Sequence, residues 1–229
     1  MLQQINKHRL YFYLFSFLLL STITNTNLKN LIGNYFTIKN INIKTDNLEI
    51  KKKIYSKTKY LKDENIFKIE KLIISSKLKE LNYLENIIIK KNYPSTLLIT
   101  ATETDLIAIT YIEKKKFFIG KNKEFIHSKK IKTKKELPII FGKFDVSNFL
   151  HLQDLIKKHN LNFKKINKYY FHKNKRWDLY LENNILIMLP NKNVRDALKL
   201  YIKFNEKNEI KSNAIIDLRI ENRLILNYG

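Results

Sequence analysis

Side chains capable of covalent or metal chemistry are sparse in this chain of 229 residues. Cysteine is absent, which removes disulfides, thiolate metal sites and a cysteine nucleophile. The five histidines are His8, His127, His151, His159 and His172. His151 and His159 could share one helix face, but no third ligand stands at metal-binding spacing, so no metal is expected. A Ser-His-Asp triad is a spatial arrangement that sequence alone does not dismiss, yet no nucleophile-elbow motif surrounds a serine. Four glycines, at 33, 120, 142 and 229, are too few and too scattered for a phosphate-cradling loop. Glu103 reads as a solvated or salt-bridged strand residue. The expectation is a protein that is not an enzyme, with no catalytic residue and no cofactor.

Recognition chemistry is better represented. Net charge is +23, yet only five of the 44 basic residues are arginine: Arg9, Arg176, Arg195, Arg219 and Arg223. Lysines spread along the whole chain fit solvated outer faces. The alternative is an electrostatic role at anionic lipid, nucleic acid or an acidic wall polymer. No interleaved aromatic-basic motif or recognition helix stands out, so no nucleic-acid partner is expected. Arginine is the side chain suited to bidentate carboxylate recognition. Arg176, beside the sole tryptophan Trp177, and Arg219 and Arg223 are therefore candidates for a partner's acidic residues. Asp217 offers Arg219 a partner on its own sheet instead. Trp177 itself reads as a core anchor.

Several elements must position these side chains. No charged residue occurs between Leu10 and Leu28, a run of 19. As a helix it would span about 28 Å, close to the hydrocarbon thickness of a bilayer. Lys7, His8 and Arg9 precede it, which predicts a single-pass anchor at 10–28 with residues 1–9 in the cytoplasm. A cleaved signal peptide is the rival reading, but "STITNTN" lacks the small alanine-type cleavage site.

Residues 36–111 read as a strand, two helices and two strands. Phe36, Ile38, Ile41 and Ile43 mark the first strand, and Asp46 or Asn47 can cap the helix that follows. Leu48, Ile50, Ile54 and Tyr55 are assigned to its core face; Phe67, Ile74, Leu78 and Leu81 to that of the second helix. Ile87 to Ile89 form a short strand, Tyr93-Pro94-Ser95-Thr96 a turn, and Leu97, Ile99 and Ala101 one face of the next strand. Residues 112–229 read as a second, mostly antiparallel sheet with flanking helices. Phe149, Leu152 and Ile156 face inward from one helix, and Val194, Ala197, Leu198, Tyr201 and Ile202 from another. Trp177, Leu179 and Leu181 alternate with an outward set, Asp178, Tyr180 and Glu182. Asn183-Asn184 suits a two-residue hairpin turn. The fold class is α+β.

Residues 212–229, "SNAIIDLRIENRLILNYG", read as a strand with Ala214, Ile216, Leu218 and Ile220 on one face. An apolar strand at a sheet edge is an aggregation liability, so either another strand or a partner is expected to cover it.

Several stretches carry a family resemblance. "FTIKNINI", "ENIFKI" and "LKELNYLENIIIKKNYPSTLLITATETDLIA" resemble a POTRA (polypeptide transport-associated) domain, in particular that of the FtsQ/DivIB bacterial cell-division proteins. Tyr93, Pro94, Thr96, Leu97, Ile99, Ala101 and Glu103 match that pattern in place. "ELPIIFGKFD", "RWDLYLENNILIMLP" and "IIDLRIENRLIL" resemble motifs of the family's C-terminal β domain. The glycine usual after the first strand is missing at Lys44 to Asp46, Asn82-Tyr83 replaces a Pro-Trp, and Ile220 stands where an aromatic is usual.

The resemblance implies a bitopic inner-membrane scaffold of the division septum, single-pass with its bulk in the periplasm. It implies a POTRA domain at 36–111 and a β domain at 112–229. The implied partners are bitopic coiled-coil division proteins like FtsB and FtsL, together with septal wall synthase components. In the family a partner adds a strand to the edge formed by the last part of the β domain. The implied contacts are Ile220, Asn222 and Tyr228, with Arg219 or Arg176 for acidic partner residues. A membrane-anchored POTRA protein of assembly or secretion is the alternative, which tandem modules or a C-terminal barrel would favour.

Overall fold

The computed structural model describes residues 7–22, 33–158, 166–207 and 210–228. The chain divides into two units, Met1–Thr102 and Glu103–Gly229. In the first, helix α1 covers Lys7–Thr22, and its apolar side chains from Leu10 to Leu20 are exposed. Sixteen residues make about 24 Å of helix, and no helix among the described residues is long and apolar enough to cross a membrane. Residues 23–28 of the expected span lie outside the described residues.

The rest of the first unit is a strand, two helices and two strands. Strand β1 is Asn40–Lys44, α2 is Leu48–Thr58, α3 is Lys71–Lys79, β2 is Leu84–Asn92 and β3 is Thr96–Glu103. Of the two cap candidates Asn47 is used: its side-chain oxygen accepts from the amides of Glu49 (2.9 Å) and Ile50 (3.5 Å). This satisfies donors that a helix start leaves orphaned. The sheet order is β1-β3-β2, with β1 parallel to β3. The crossover through two helices makes that parallel pairing possible. Helix α2 lies against β1 and α3 against β2.

Ile50, Ile54, Ile74 and Leu78 fill the core with Ile43, Leu97, Ile99 and Ala101. Leu48 and Tyr55, expected inward, are exposed instead. Leu48 occupies the first helical position, beyond the sheet's reach, and Tyr55 follows buried Ile54 onto the outer face. Phe67 precedes α3 rather than belonging to it, and stacks on Tyr93 at 5.0 Å. Strand β2 is nine residues, longer than the triplet Ile87 to Ile89 suggested, because Leu84 to Asn86 and Lys90 to Asn92 extend it at its two ends.

The second unit holds a nine-stranded sheet in the order β12-β11-β10-β9-β8-β7-β4-β5-β6. Its strands are β4 (Leu106–Ile112), β5 (Lys115–Gly120), β6 (Phe125–His127), β7 (Ile139–Phe141), β8 (Ile166–Phe171), β9 (Trp177–Leu181), β10 (Leu186–Met188), β11 (Ala214–Asp217) and β12 (Ile225–Tyr228). Helix α4 (Val146–Lys158) connects parallel β7 and β8, and α5 (Val194–Lys207) connects parallel β10 and β11. The remaining neighbours are antiparallel except β4 and β7. The sheet is thus mixed. The expected boundary at 111/112 falls at the end of β4, which pairs with β5 and β7, whereas the units part at Thr102/Glu103.

One core lies between this sheet and both helices. Phe149, Leu152 and Ile156 of α4 and Leu198 and Tyr201 of α5 meet Ile140, Tyr169, Leu179, Ile187 and Ile216. Trp177 anchors it, with Phe144, Phe149 and Phe171 within 5.9 Å between ring centres. Gly142 has φ +98°, and a Cβ there would lie 2.1 Å from the Phe171 carbonyl oxygen, so the β7 end approaches β8 as only glycine allows.

Candidate functional site at the sheet margin

The last 18 residues do not form one strand. Strand β11 stops at Asp217, the chain turns through 218–224, and β12 returns antiparallel to it. Two local devices cause the reversal. The Asp217 carboxylate accepts from the Arg219 amide at 3.0 Å, an Asx-type turn that competes with ladder pairing. Asn222 takes φ +56°, and the Arg223 amide donates to the Ile220 carbonyl at 3.2 Å. β11 is therefore an interior strand between β10 and β12, and β12 forms the margin. Ile220, expected on the strand face with Ala214, Ile216 and Leu218, sits in the turn and is 49% exposed. Its missed signal was "ENR", where asparagine supplies the left-handed residue.

Cross-strand register brings distant polar residues together. Asp178, Met188, Asp217 and Ile225 stand opposite one another across β9, β10, β11 and β12. Residues paired in register share a sheet face, here the one opposite the helices. Arg176, Arg219 and Ile220 line one cavity of about 380 Å³ together with Asn174, Pro190, Asn191 and Asp217. Asn222 lines an adjoining hollow of about 320 Å³ that shares Arg219 and Ile220. Asn193, just before α5, donates to Glu221 at 3.0 Å and ties the turn down.

Tyr228 is not part of this group. It pairs with Ala214 at the other end of β12, 53% exposed, about 10 Å along the strand from Ile225. The turn residues and Tyr228 thus bracket the marginal strand.

The two arginines differ in what they have left to offer. Arg219 is bound to Asp217 by two bonds, Nε to Oδ1 at 2.8 Å and a terminal nitrogen to Oδ2 at 2.5 Å. Hydrogen bonding from Arg219 holds the Asp217 carboxyl below the ordinary carboxylate range, and the same bond raises the Arg219 guanidinium. The alternative in which Arg219 pairs within its own sheet is the one observed. Arg176 is mostly buried, with a terminal nitrogen 3.9 Å from Asp178 and an Nε without a partner among the described residues. Arg223 is exposed in the turn.

Asp178 was expected outward. It does point away from the helices, yet it is only 4% exposed. His172 Nε2 lies 2.6 Å from its Oδ2, and Arg176 approaches from the same side. Alternation located the face, but it did not show that the His172 and Arg176 side chains stand beside the carboxylate on that face. Of the pair His151 and His159, the second lies outside the described residues.

Comparison with known proteins agrees with this architecture. The family description "POTRA domain, FtsQ-type" matches residues 36–104, and "Cell division protein FtsQ/DivIB, C-terminal" matches 111–219. Cell division protein FtsQ of Rickettsia bellii is 28% identical over 164 residues, covering 71% of this chain and 61% of that protein. Its Rickettsia prowazekii counterpart is 29% identical over 168 residues with the same coverages, 71% and 61%. That of Rhizobium radiobacter is 27% identical over 153 residues, 64% of this chain and 71% of the relative. The chain therefore spans about three fifths of the Rickettsia relatives it matches. A strand-helix-helix-strand-strand module matched to the FtsQ-type POTRA domain is followed by a nine-stranded unit matched to the FtsQ/DivIB C-terminal domain, and on these grounds the chain belongs to the FtsQ/DivIB family of bacterial cell-division proteins.

Proposed function

We propose that this chain is a bitopic inner-membrane scaffold of the division septum. Its β domain docks a small bitopic coiled-coil division protein of the FtsB or FtsL kind by strand addition along β12, and so helps control septal wall synthesis. The observation that carries this reading is the position of β12 as the last strand of the nine-stranded sheet. An edge strand presents one row of amide and carbonyl groups to whatever lies beside it. Backbone bonding along that row supplies affinity, and side chains at its ends supply register. Ile220 and Asn222 sit at one end and Tyr228 at the other, so one added strand spans both groups.

Both arginines already face a carboxylate of this chain, Arg219 closely at Asp217 and Arg176 loosely at Asp178, 3.9 Å away. Arg176 therefore gives up less on meeting a partner's carboxylate, while Arg219 is the more exposed of the two. Arg219 contributes by holding the turn that presents Ile220. The anchor is the uncharged run 10–28, of which residues 10–22 lie in helix α1. The bulk of the chain then lies in the periplasm.

The test is co-purification of division partners from detergent-solubilised membranes with the full chain. Ile220→Asp and Tyr228→Glu each reduce the recovered partner at least tenfold, with thermal unfolding unchanged, since both side chains are exposed. Undiminished recovery with the double variant overturns strand docking at this margin.

A further inference from the structure

Near its N-terminal boundary the POTRA module carries a row of rings that its own core does not use. Tyr35 meets Phe36 edge-on at 5.2 Å, Phe36 meets Phe67 at 4.9 Å, and Phe67 stacks on Tyr93 at 5.0 Å. Three of the four are more than half exposed: Tyr35 at 58%, Phe67 at 57% and Tyr93 at 56%. The row is held rigidly. The Ile66 amide donates to the Phe36 carbonyl at 2.9 Å, and the Phe67 amide to the Asn65 side chain at 2.9 Å. Lys91 Nζ reaches the Phe67 carbonyl at 3.3 Å.

Beside Tyr93 opens a hollow of about 660 Å³, lined by Leu72, Lys71, Lys90 and Lys91 among others. Leu72 is 83% exposed, which no packing within the module explains. No ion pair neutralises Lys71, Lys90 or Lys91 among the described residues, and Glu70 is the one carboxylate lining the hollow.

We propose that this face, the ring row with Leu72 and its three lysines, rests on a bilayer surface rich in anionic headgroups. Tyrosine and phenylalanine with an apolar residue and flanking lysines are the side chains that partition to the membrane-water boundary. Lysine ammonium groups near an anionic surface each strengthen adsorption about fivefold. The tether favours the same occupant. Tyr35 follows Thr22, the end of α1, by 13 residues, so the row starts at most about 45 Å of chain from the apolar helix. The inference rests on the anchoring of the N-terminal segment, which raises the local concentration of lipid surface at the module.

The test uses the full chain in lipid nanodiscs and exploits its lack of cysteine. An environment-sensitive fluorophore is attached at Leu72→Cys in one preparation and at Ser16→Cys in another. Quenching by lipids carrying nitroxides near the headgroup or deep in the acyl chain reports position. In discs containing phosphatidylglycerol, the Leu72→Cys label is quenched at least twofold more by the shallow nitroxide than in pure phosphatidylcholine discs. The substitutions Lys71→Gln, Lys90→Gln and Lys91→Gln together abolish that difference, and circular dichroism confirms that they leave the fold intact. A Leu72→Cys label unquenched in anionic discs overturns the inference. The Ser16→Cys label separates the two readings. Deep quenching there with no quenching at Leu72→Cys leaves the anchor standing and removes the docked face; no quenching at either site removes both.

Discussion

Asp217 and Arg219 show how one carboxylate shapes the margin. The side chain closes the turn through the Arg219 amide and neutralises the guanidinium as well. Its carboxyl is held low by that hydrogen bond, so the stabilisation it gives is present at neutral pH and is lost as pH falls through the folded-state value. Arg219→Ala removes the bond. The Asp217 carboxyl then titrates at higher pH, read by carbon-detected NMR, and stability at pH 7 falls by about 1 kcal/mol or less, because the pair is partly solvated.

Tyr169 behaves oppositely. Burial alone pushes its phenol well above the ordinary tyrosine value. In the unfolded chain it ionises near pH 10 while the folded chain keeps its proton, so stability declines above that pH with a slope of about 1.4 kcal/mol per pH unit. Tyr169→Phe makes the decline shallower by its own share, leaving that of Tyr201, which burial also raises, as measured by urea unfolding at pH 9 and pH 11. Gly142→Ala, at φ +98° and against the Phe171 carbonyl, costs about 2 kcal/mol or more, visible as a lowered thermal midpoint.

At the scale of elements, β12 is four residues long and is paired to β11 alone within the sheet. Its side chains Ile225, Asn227 and Tyr228 are exposed, and Leu226 is half-buried against the core. Few buried contacts and one ladder mean local opening at low free energy. Hydrogen exchange is therefore expected to run at least a hundredfold faster at β12 amides than at β8 and β9, and to slow when a partner strand adds. Exchange at β12 as slow as in the sheet centre would mean that the margin is held by more than its hairpin. The helices are different in kind. Periodicity placed Phe149, Leu152 and Ile156, and likewise Leu198 and Tyr201, correctly, because a helix that packs on one sheet must show its apolar stripe in sequence.

The hairpin between β9 and β10 was legible in type but not in length. Asn183 and Asn184 both adopt positive φ, as expected, but the loop holds three residues, with the Leu181 amide donating to the Ile185 carbonyl at 2.8 Å. Asparagine marks where left-handed backbone is tolerated without fixing how many residues the turn takes.

At the scale of the molecule, two matched regions in family order place the chain in the FtsQ/DivIB family. A division role makes a cellular prediction. Depletion yields filaments lacking septa, scored by phase-contrast and membrane-dye microscopy, and the Ile220→Asp, Tyr228→Glu double variant fails to restore septation while still reaching the membrane. Normal septa on depletion would count against the role.

The sequence by itself determined much of the local alphabet: the order of helices and strands in the first unit, where Pro94 and the paired asparagines turn the chain, and the buried helix residues Ile50, Ile54, Ile74 and Leu78 and Phe149, Leu152 and Ile156. These follow from periodicity and backbone sterics, which act over a few residues. Only the tertiary structure decided that residues 106–112 pair in the second sheet, that β11 is interior, and that Asp178 is buried. Strand pairing and side-chain burial join residues far apart in the chain, and no short-range pattern encodes their register. The margin itself turned on two short-range devices whose outcome is long-range. The Asp217 carboxylate takes the Arg219 amide just past the end of β11, Asn222 supplies the left-handed residue, and together they fold the chain back so that β12 becomes the edge.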